Sequence, residues 1–156
     1  MTSIEIREAT LSNGLTIQAE IVPGALTAAA GFFFRTGARD EDSAHMGVSH
    51  FLEHMMFKGT PRRTAEEVNQ ELDDLGANHN AWTTAENTAY FVHTPHESIS
   101  AAVDVIADIL RPSLRPDDFA EEQQVILEEI AMYADQPFWV LYESALEHYY
   151  THNPLS

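Results

Sequence analysis

The segment H-x-x-E-H, formed by His50, Glu53 and His54, constrains this chain more than any other feature. At about 100° per residue, these three side chains fall on one face of a helix together with Phe57. The opposite face is apolar and has the spacing of a buried stripe. Its members are Val48, Phe51, Leu52, Met55 and Met56. We therefore expect an amphipathic helix that is anchored by its apolar face and presents two imidazoles and a carboxylate.

Two histidines four residues apart lie one helical turn from each other. Their ring nitrogens can therefore both reach one metal ion at about 2.0–2.1 Å. Glu53 lies beside them, where it can take a proton from a water molecule at the metal. The alternative is that all three are solvated polar residues on an amphipathic helix. We favour the metal site because the three residues occur together, backed by a strong apolar stripe.

The composition restricts the partners and the metal ligands. A formal net charge of −17 argues against nucleic acid and against an anionic membrane surface as partners. It fits a basic or extended substrate, although acidity is more often a solubility feature. The chain has no cysteine, so any metal must be held by histidine and carboxylate side chains.

The sequence also carries expectations about location. The absence of cysteine fits a cytoplasmic protein. The first residues, MTSIEIREATLSNG, contain neither a basic nor an apolar signal-peptide region. No apolar run approaches the roughly 20 residues of a membrane span. We therefore expect a soluble cytoplasmic protein without a membrane partner.

Strand patterns dominate the first third of the chain. Residues 4–22 alternate between apolar and polar around residues 12–14, Ser-Asn-Gly, which predicts a hairpin. The apolar run 28–36 predicts a central strand. A polar loop follows, in which Asp42 or Ser43 is the expected N-cap of the H-x-x-E-H helix.

Helix patterns dominate the remainder. Thr64 and Glu67 have the spacing of a capping box, which predicts a helix from there to about Leu75, with Gly76 at its C-terminal end. The later elements are strands over 78–84 and 88–94 and helices over 97–110, 117–133 and 139–150. This order predicts an α+β fold with a mostly antiparallel sheet and helices packed on one face. We expect residues 1–156 to form a single domain.

A catalytic zinc usually has three protein ligands, so the two histidines need a third ligand from elsewhere. The helix over 117–133 carries two pairs of glutamates seven residues apart. Helical geometry puts Glu122 and Glu129 within its apolar face and Glu121 and Glu128 at its margin. The apolar members of that face are Phe119, Val125, Ile126, Ile130 and Tyr133.

A carboxylate aimed into a core is costly unless a cation or hydrogen bonds compensate it. We therefore interpret Glu129 as the third ligand and Glu122 as its support or proton partner. The alternative is that both glutamates are buried and paired with arginine or with the backbone. Four other histidines are interpreted as structural or solvated. They are His93, His96, His148 and His152.

With these residues assembled, the sequence resembles the pitrilysin family of inverted zinc metallopeptidases, which includes insulysin and the mitochondrial processing peptidases. The resemblance covers nearly the whole chain. Besides H-x-x-E-H, it is carried by residues 13–15, Phe32 with 35–41, Met55 with 57–60, 75–77, 80–81 and 125–130. The separation between His54 and Glu129 is also of the size that the family shows.

The resemblance implies a zinc-dependent endopeptidase. Zinc would be bound by His50, His54 and Glu129. Glu53 would be the base that activates water, and Glu122 would be the family's auxiliary glutamate.

The resemblance also implies how the substrate binds. The strand around Asn80 and Ala81 is similar to the family's edge strand. An extended peptide or an unfolded polypeptide would add its backbone hydrogen bonds to this edge, which is β-augmentation.

Family members are several times longer and usually have two similar halves, sometimes as separate subunits, that close like a clam shell. This chain resembles most of the first half, and we expect it to be truncated before the second. In the family the later half contributes an Arg/Tyr pair that helps to bind the substrate carbonyl. The expected partner is therefore a second homologous half-domain or subunit.

Two alternatives to an autonomous endopeptidase remain open. One is a non-catalytic or partner-dependent subunit or fragment of such a peptidase. The other is a different zinc hydrolase that uses the same ligands on another substrate.

Overall fold

The computed structural model describes residues 4–151 and 153–155, which form five strands and five α-helices. In chain order they are β1 (Glu5–Thr10), β2 (Thr16–Ile21), β3 (Thr27–Phe34), α1 (Val48–Met56), α2 (Ala65–Asp74), β4 (Asn78–Thr83), β5 (Thr88–Pro95), α3 (Ile99–Ile109), α4 (Pro116–Ala134) and α5 (Pro137–Tyr149). The architecture is α+β with antiparallel sheets, as predicted. No helix in the described part of the chain is both long enough and apolar enough to span a membrane.

The strands form two separate sheets. β1 and β2 pair as the predicted hairpin, and Gly14 in its turn has a φ of +88°, a conformation that glycine adopts readily. The other sheet has the order β3-β5-β4. The prediction of a central strand over 28–36 is therefore wrong, since among the described residues β3 pairs with β5 alone and β5 is the central strand. The strand is also not buried on both faces, although its apolar run suggests this, because Phe33 is 67% exposed.

The core lies between one face of the three-stranded sheet and helices α2 and α3. Tyr90 and Val92 of β5 point into it and are at most 2% exposed. The buried cluster consists of Val68, Leu72, Tyr90, Val92, Ala102, Val105, Ile106 and Ile109. Met56 and Phe57, at the end of α1, pack against this cluster from the same side. The helices therefore cover one face of this sheet, as predicted.

Local sequence signals locate α2 correctly. The backbone N–H of Glu67 donates to Thr64 Oγ1 (3.2 Å), and the N–H of Thr64 donates to Glu67 Oε2 (2.8 Å). This is the predicted capping box. Gly76 follows the helix with a φ of +62°, as a C-terminal glycine should. The other predicted strands and helices correspond to β4, β5, α3, α4 and α5.

The start of α1 differs from the prediction of Asp42 or Ser43 as N-cap. The N-cap is Gly47, with a φ of +89°. The Glu41 carboxylate accepts hydrogen bonds from the N–H groups of Gly47 (2.6 Å) and Ser49 (2.7 Å). Although partial burial acts in the opposite direction, these bonds hold the pKa of Glu41 below its ordinary value. The prediction is wrong because α1 begins only at Val48. The carboxylate that binds its first N–H groups belongs to Glu41, six residues before the N-cap.

The apolar face predicted for α4 is only partly buried. Ile126 is 8% exposed and Glu122 is 4% exposed. The exposed members of the predicted face are Phe119, Val125, Ile130 and Tyr133. The prediction is wrong for these residues because α4 packs mainly on α1 and α5.

The apolar stripe of α1 is also less buried than predicted. Met55 is 2% exposed, but Val48 is 51% exposed and Leu52 is 39% exposed. The stripe lines a shallow apolar cavity of about 230 Å³. Leu114, which precedes α4, and Phe119, at the start of α4, line the same cavity, and the rings of Phe51 and Phe119 lie 4.4 Å apart.

Candidate metal centre

Helices α1 and α4 pack against each other so that donor atoms from His50, His54 and Glu129 meet. The Nε2 atoms of His50 and His54 are 3.1 Å apart. Glu129 Oε2 lies 3.6 Å from His50 Nε2 and 3.5 Å from His54 Nε2. Ligand atoms at about 2.0–2.1 Å from a tetrahedral ion lie about 3.3–3.4 Å from one another. The three donor atoms therefore have separations close to those that a tetrahedral metal needs.

The chemistry of the donor set fits a catalytic zinc as well. Two imidazole nitrogens and one carboxylate oxygen leave one tetrahedral position for water or substrate. The side chains of His50, His54 and Glu129 are 35%, 21% and 26% exposed, so solvent can reach the group. Glu121 and Glu128, the other pair of glutamates on α4, are exposed.

Glu122 lies behind His54 on the side away from Glu129. Its Oε1 is 2.8 Å from His54 Nδ1. A carboxylate in this position accepts a hydrogen bond from Nδ1–H, so that Nε2 keeps its lone pair for a metal. The sequence therefore correctly indicates that Glu122 points inward from α4.

The charge of Glu122 is compensated by Lys58. Glu122 Oε2 has no hydrogen bond of regular geometry, but it forms an ion pair with the Lys58 ammonium group. Burial raises the pKa of Glu122, yet Lys58 and His54 outweigh burial and hold this pKa below its ordinary value. The cation beside this glutamate is thus a lysine, not the arginine considered from the sequence.

Glu53 extends from α1 toward β4. The hydroxyl of Thr83, the last residue of β4, donates a hydrogen bond of 2.5 Å to Glu53 Oε2. A cavity of about 310 Å³ adjoins Glu53. Its lining is formed by Glu53, His54, Phe57, Lys58, Ala65, Asn69, Asn80 and Glu122. Asn80 is thus beside the proposed base, whereas Ala81 is not among the lining residues.

Sequence reasoning missed two residues of this region. Lys58 is the only lysine in the sequence, so composition offered a signal. Thr83 has no local signal, because its contact with Glu53 depends on the packing of α1 against β4.

Three of the four histidines that the sequence predicts to be structural or solvated lie at the surface. His93, His96 and His148 are exposed, and His148 Nδ1 lies 2.8 Å from the carbonyl oxygen of Ser144. His152 lies outside the described residues.

Several known proteins are similar to this chain in sequence. Residues 17–156 match the family model described as Insulinase (Peptidase family M16). An uncharacterized zinc protease from Rickettsia felis is 39% identical over 146 residues, which cover 93% of this chain and 35% of that protein. The mitochondrial-processing peptidase subunit beta of Neurospora crassa is 37% identical over 155 residues, which cover 99% of this chain and 33% of that protein.

A solved structure shares the fold. The crystal structure of a protease from Helicobacter pylori matches with a TM-score of 0.90 at 26% identity, over 98% of this chain and 37% of that one. The chain spans about a third of the length of the curated relatives that it matches. The resemblance stated from the sequence is therefore confirmed. The chain belongs to the insulinase family, peptidase family M16.

Proposed function

We propose that this chain carries the metal centre of a zinc-dependent endopeptidase that hydrolyses extended peptides. The observation that carries the proposal is the triangle of donor atoms from His50, His54 and Glu129, with separations of 3.1 to 3.6 Å. The family supports the class of reaction, because the relatives named above are a zinc protease and a processing peptidase subunit. Zinc is the proposed metal because it is commonly held by such a donor set.

Glu53 is the proposed general base. When bound, zinc supplies Lewis acidity, which acidifies water and polarises a peptide carbonyl. Glu53 takes the proton from the attacking water and then delivers it to the leaving amine. Thr83 holds Glu53 Oε2 by a hydrogen bond, which leaves Oε1 to carry the proton. Glu122 orients His54 and is a supporting residue in this scheme.

The proposed substrate is an extended peptide or an unfolded polypeptide. Within the described residues β4 pairs with β5 alone and has an open edge. A peptide can add to such an edge as a further strand, with main-chain hydrogen bonds. Asn80 of β4 lines the cavity beside Glu53, so a strand added there would pass the base. Ala81 is proposed to contribute through its backbone.

A second candidate is a partner-dependent subunit or fragment. The chain spans about a third of its relatives' length, and large apolar side chains of α4 and α5 are exposed. In this case the chain binds zinc, but turnover requires a second homologous half-domain or subunit. Peptide hydrolysis by the chain alone, compared with the chain plus that polypeptide, distinguishes the two candidates.

Zinc content tests the metal centre directly. We expect near-stoichiometric zinc by elemental mass spectrometry after the wild-type chain is loaded with zinc and desalted. Glu129→Gln should lose most of it, because the amide oxygen is a poorer ligand than a carboxylate. Glu128→Gln, an exposed neighbour on the same helix, is the matched control and should retain zinc. A wild-type chain without zinc, or full zinc in Glu129→Gln, would contradict the proposed centre.

Glu53→Gln tests the base separately. It should keep its zinc but lose about 10²–10⁴-fold in kcat, as expected for removal of a general base. The rate is measured with a quenched fluorescent peptide in whichever preparation is active, the chain alone or the chain with its partner. If Glu53→Gln retained most of the activity, Glu53 would not be the base.

A further inference from the structure

Lys58, the only lysine of the sequence, is linked through Glu122 to a histidine of the metal centre. Its ammonium group forms an ion pair with Glu122 Oε2. The other oxygen of the same carboxylate, Oε1, lies 2.8 Å from Nδ1 of His54. The contacts therefore run from Lys58 through Glu122 to His54.

The backbone around Lys58 is tied to the segment that leads into α4. Arg115, which precedes α4, donates a side-chain hydrogen bond of 2.5 Å to the carbonyl oxygen of Lys58. The N–H of Ser113 donates to the carbonyl oxygen of Gly59, the next residue, at 3.0 Å. The backbone at Lys58 is thus held beside the segment that leads into α4, the helix that carries Glu122.

Lys58 is also the principal positive charge near the centre. Among the described residues, it is the only lysine or arginine within ion-pair distance of Glu53, Glu122 or Glu129. Glu122 is 4% exposed, and removal of one partner from a buried ion pair is strongly unfavourable. When the ammonium group is removed, we expect the Glu122 side chain to turn toward solvent. His54 then loses the acceptor that orients its ring.

We propose that Lys58 is a positioning residue of the metal centre, which holds Glu122 in place so that Glu122 orients His54 with Nε2 toward the other ligands. The inference rests on the proposed function for the role of His54 as a ligand. Lys58 is not a catalytic residue in this scheme, because it acts on the donor atoms through Glu122.

Zinc affinity is the first test, measured on the purified chain by competition with a chromogenic chelator. Lys58→Met should weaken zinc binding by about 10–100-fold, as loss of an outer partner of a ligand does. Lys58→Arg should restore most of the affinity, because it returns a cation to Glu122. Arg7→Met, on the β1–β2 hairpin, changes the net charge equally and should bind zinc like the wild type.

Chemical modification gives an independent version of this test, because the chain has one lysine. Acetylation removes the charge of Lys58, whereas reductive dimethylation retains it. The acetylated wild type should bind zinc as weakly as Lys58→Met, and the dimethylated wild type should bind tightly. Acetylated Lys58→Arg controls for the modified N-terminal amine and should remain tight.

A measurement on the metal-free chain separates this inference from the proposed function. With ¹⁵N-labelled histidine, the His54 ring should carry its proton on Nδ1 in the wild type and in Lys58→Arg. In Lys58→Met the two ring tautomers should be mixed, while circular dichroism shows an unchanged fold.

The outcomes are then distinct. If the wild type binds no zinc but the His54 signals change as expected, the proposed function fails and the positioning role of Lys58 stands. If the wild type binds zinc and Lys58→Met binds it equally tightly, with unchanged His54 signals, the positioning role is overturned and the proposed function stands.

Discussion

Asp108 on α3 and Glu122 on α4 are both buried carboxylates, 8% and 4% exposed, but their surroundings differ. Asp108 accepts hydrogen bonds of 2.8 Å from Thr60 Oγ1 and from Arg63 Nη1. Glu122 contacts one cation and one histidine, whose second ring nitrogen points onward to further donor atoms. A buried carboxylate therefore does not by itself indicate a functional site.

We call the cluster around Asp108 closed, because its carboxylates are paired with arginines of the same cluster. Arg63 forms ion pairs with Glu71, Asp104 and Asp108. The hydrogen bond with Glu71 and those with the two aspartates raise the pKa of Arg63, although burial opposes them. Each carboxylate of this cluster pairs with an arginine, and the pairs join α2 to α3. The carboxylates are therefore not left as a group of potential metal ligands that face one another.

We call the cluster around Glu122 open, because one of its carboxylates, that of Glu129, has no lysine or arginine partner among the described residues. Lys58 compensates Glu122, but Glu129 has only the two imidazoles as its ion-pair partners among the described residues. Three potential ligand atoms thus face one point without a lysine or arginine between them. This arrangement is what a bound cation would complete.

The largest expected effect comes from breaking the closed cluster. Arg63→Met should lower the free energy of unfolding by about 3 kcal/mol, because it leaves the buried Asp108 with a weaker partner. Zinc affinity should not change. Urea unfolding and chelator competition measure the two quantities. Arg62→Met is the matched control, since its side chain is 58% exposed and exposed pairs contribute little. If both substitutions lowered the free energy of unfolding equally, Arg63 would not be the principal partner of the buried Asp108.

Zinc should stabilise the folded protein by binding at the open cluster alone. At a zinc concentration of about 100 times Kd, the wild type should gain about 2.7 kcal/mol of stability. His54→Ala should gain almost nothing, because a ligand is missing, whereas Arg63→Met should gain as much as the wild type. Thermal unfolding with and without zinc measures the gain. A full gain in His54→Ala would mean that zinc binds elsewhere.

The contribution of Asp108 should depend on pH. Burial raises the pKa of Asp108, but hydrogen bonds from Arg63 and Thr60 outweigh it and hold this pKa below its ordinary value. The folded protein therefore binds this proton less readily than the unfolded chain. The stabilisation is complete at neutral pH and is lost as the pH falls below about 4.

Asp108→Asn tests this dependence. It should cost about 2 kcal/mol at pH 7, typical for a hydrogen bond to a charged group, and less at pH 3. Asp104→Asn, whose side chain is 53% exposed, should cost less at pH 7. A cost for Asp108→Asn that stays constant between pH 7 and pH 3 would contradict the assigned cause.

The parts of the fold that sequence predicts are those specified by local patterns. The capping box of Thr64 and Glu67, the turn at Gly14 and the burial of Glu122 all follow from residues within a few helical turns or one strand pair. Periodicity then indicates which side chains can share a face.

The parts that sequence does not predict depend on contacts between distant segments. Lys58 and Thr83 reach Glu122 and Glu53 only because α1 packs against α4 and β4. The apolar character of β3 similarly does not indicate whether a second strand pairs with its outer edge. Periodicity identifies an apolar face, but it does not identify the surface that covers it.

The smallest expected effect concerns the start of α1, where the sequence predicts Asp42 or Ser43 as the N-cap and the structure shows the Glu41 carboxylate bonded to the first N–H groups. Glu41→Gln should lower the stability by about 1 kcal/mol, the usual contribution of a capping group. Because its pKa is lowered in the folded chain, this cost should shrink as the pH falls below about 4.5. Asp42→Asn should be nearly neutral, since Asp42 bonds to Ala44 and His45 before the helix begins. Urea unfolding of both variants at pH 7 and pH 3.5 measures the difference. A larger cost for Asp42→Asn would restore the sequence prediction and remove Glu41 as the residue that holds the start of α1.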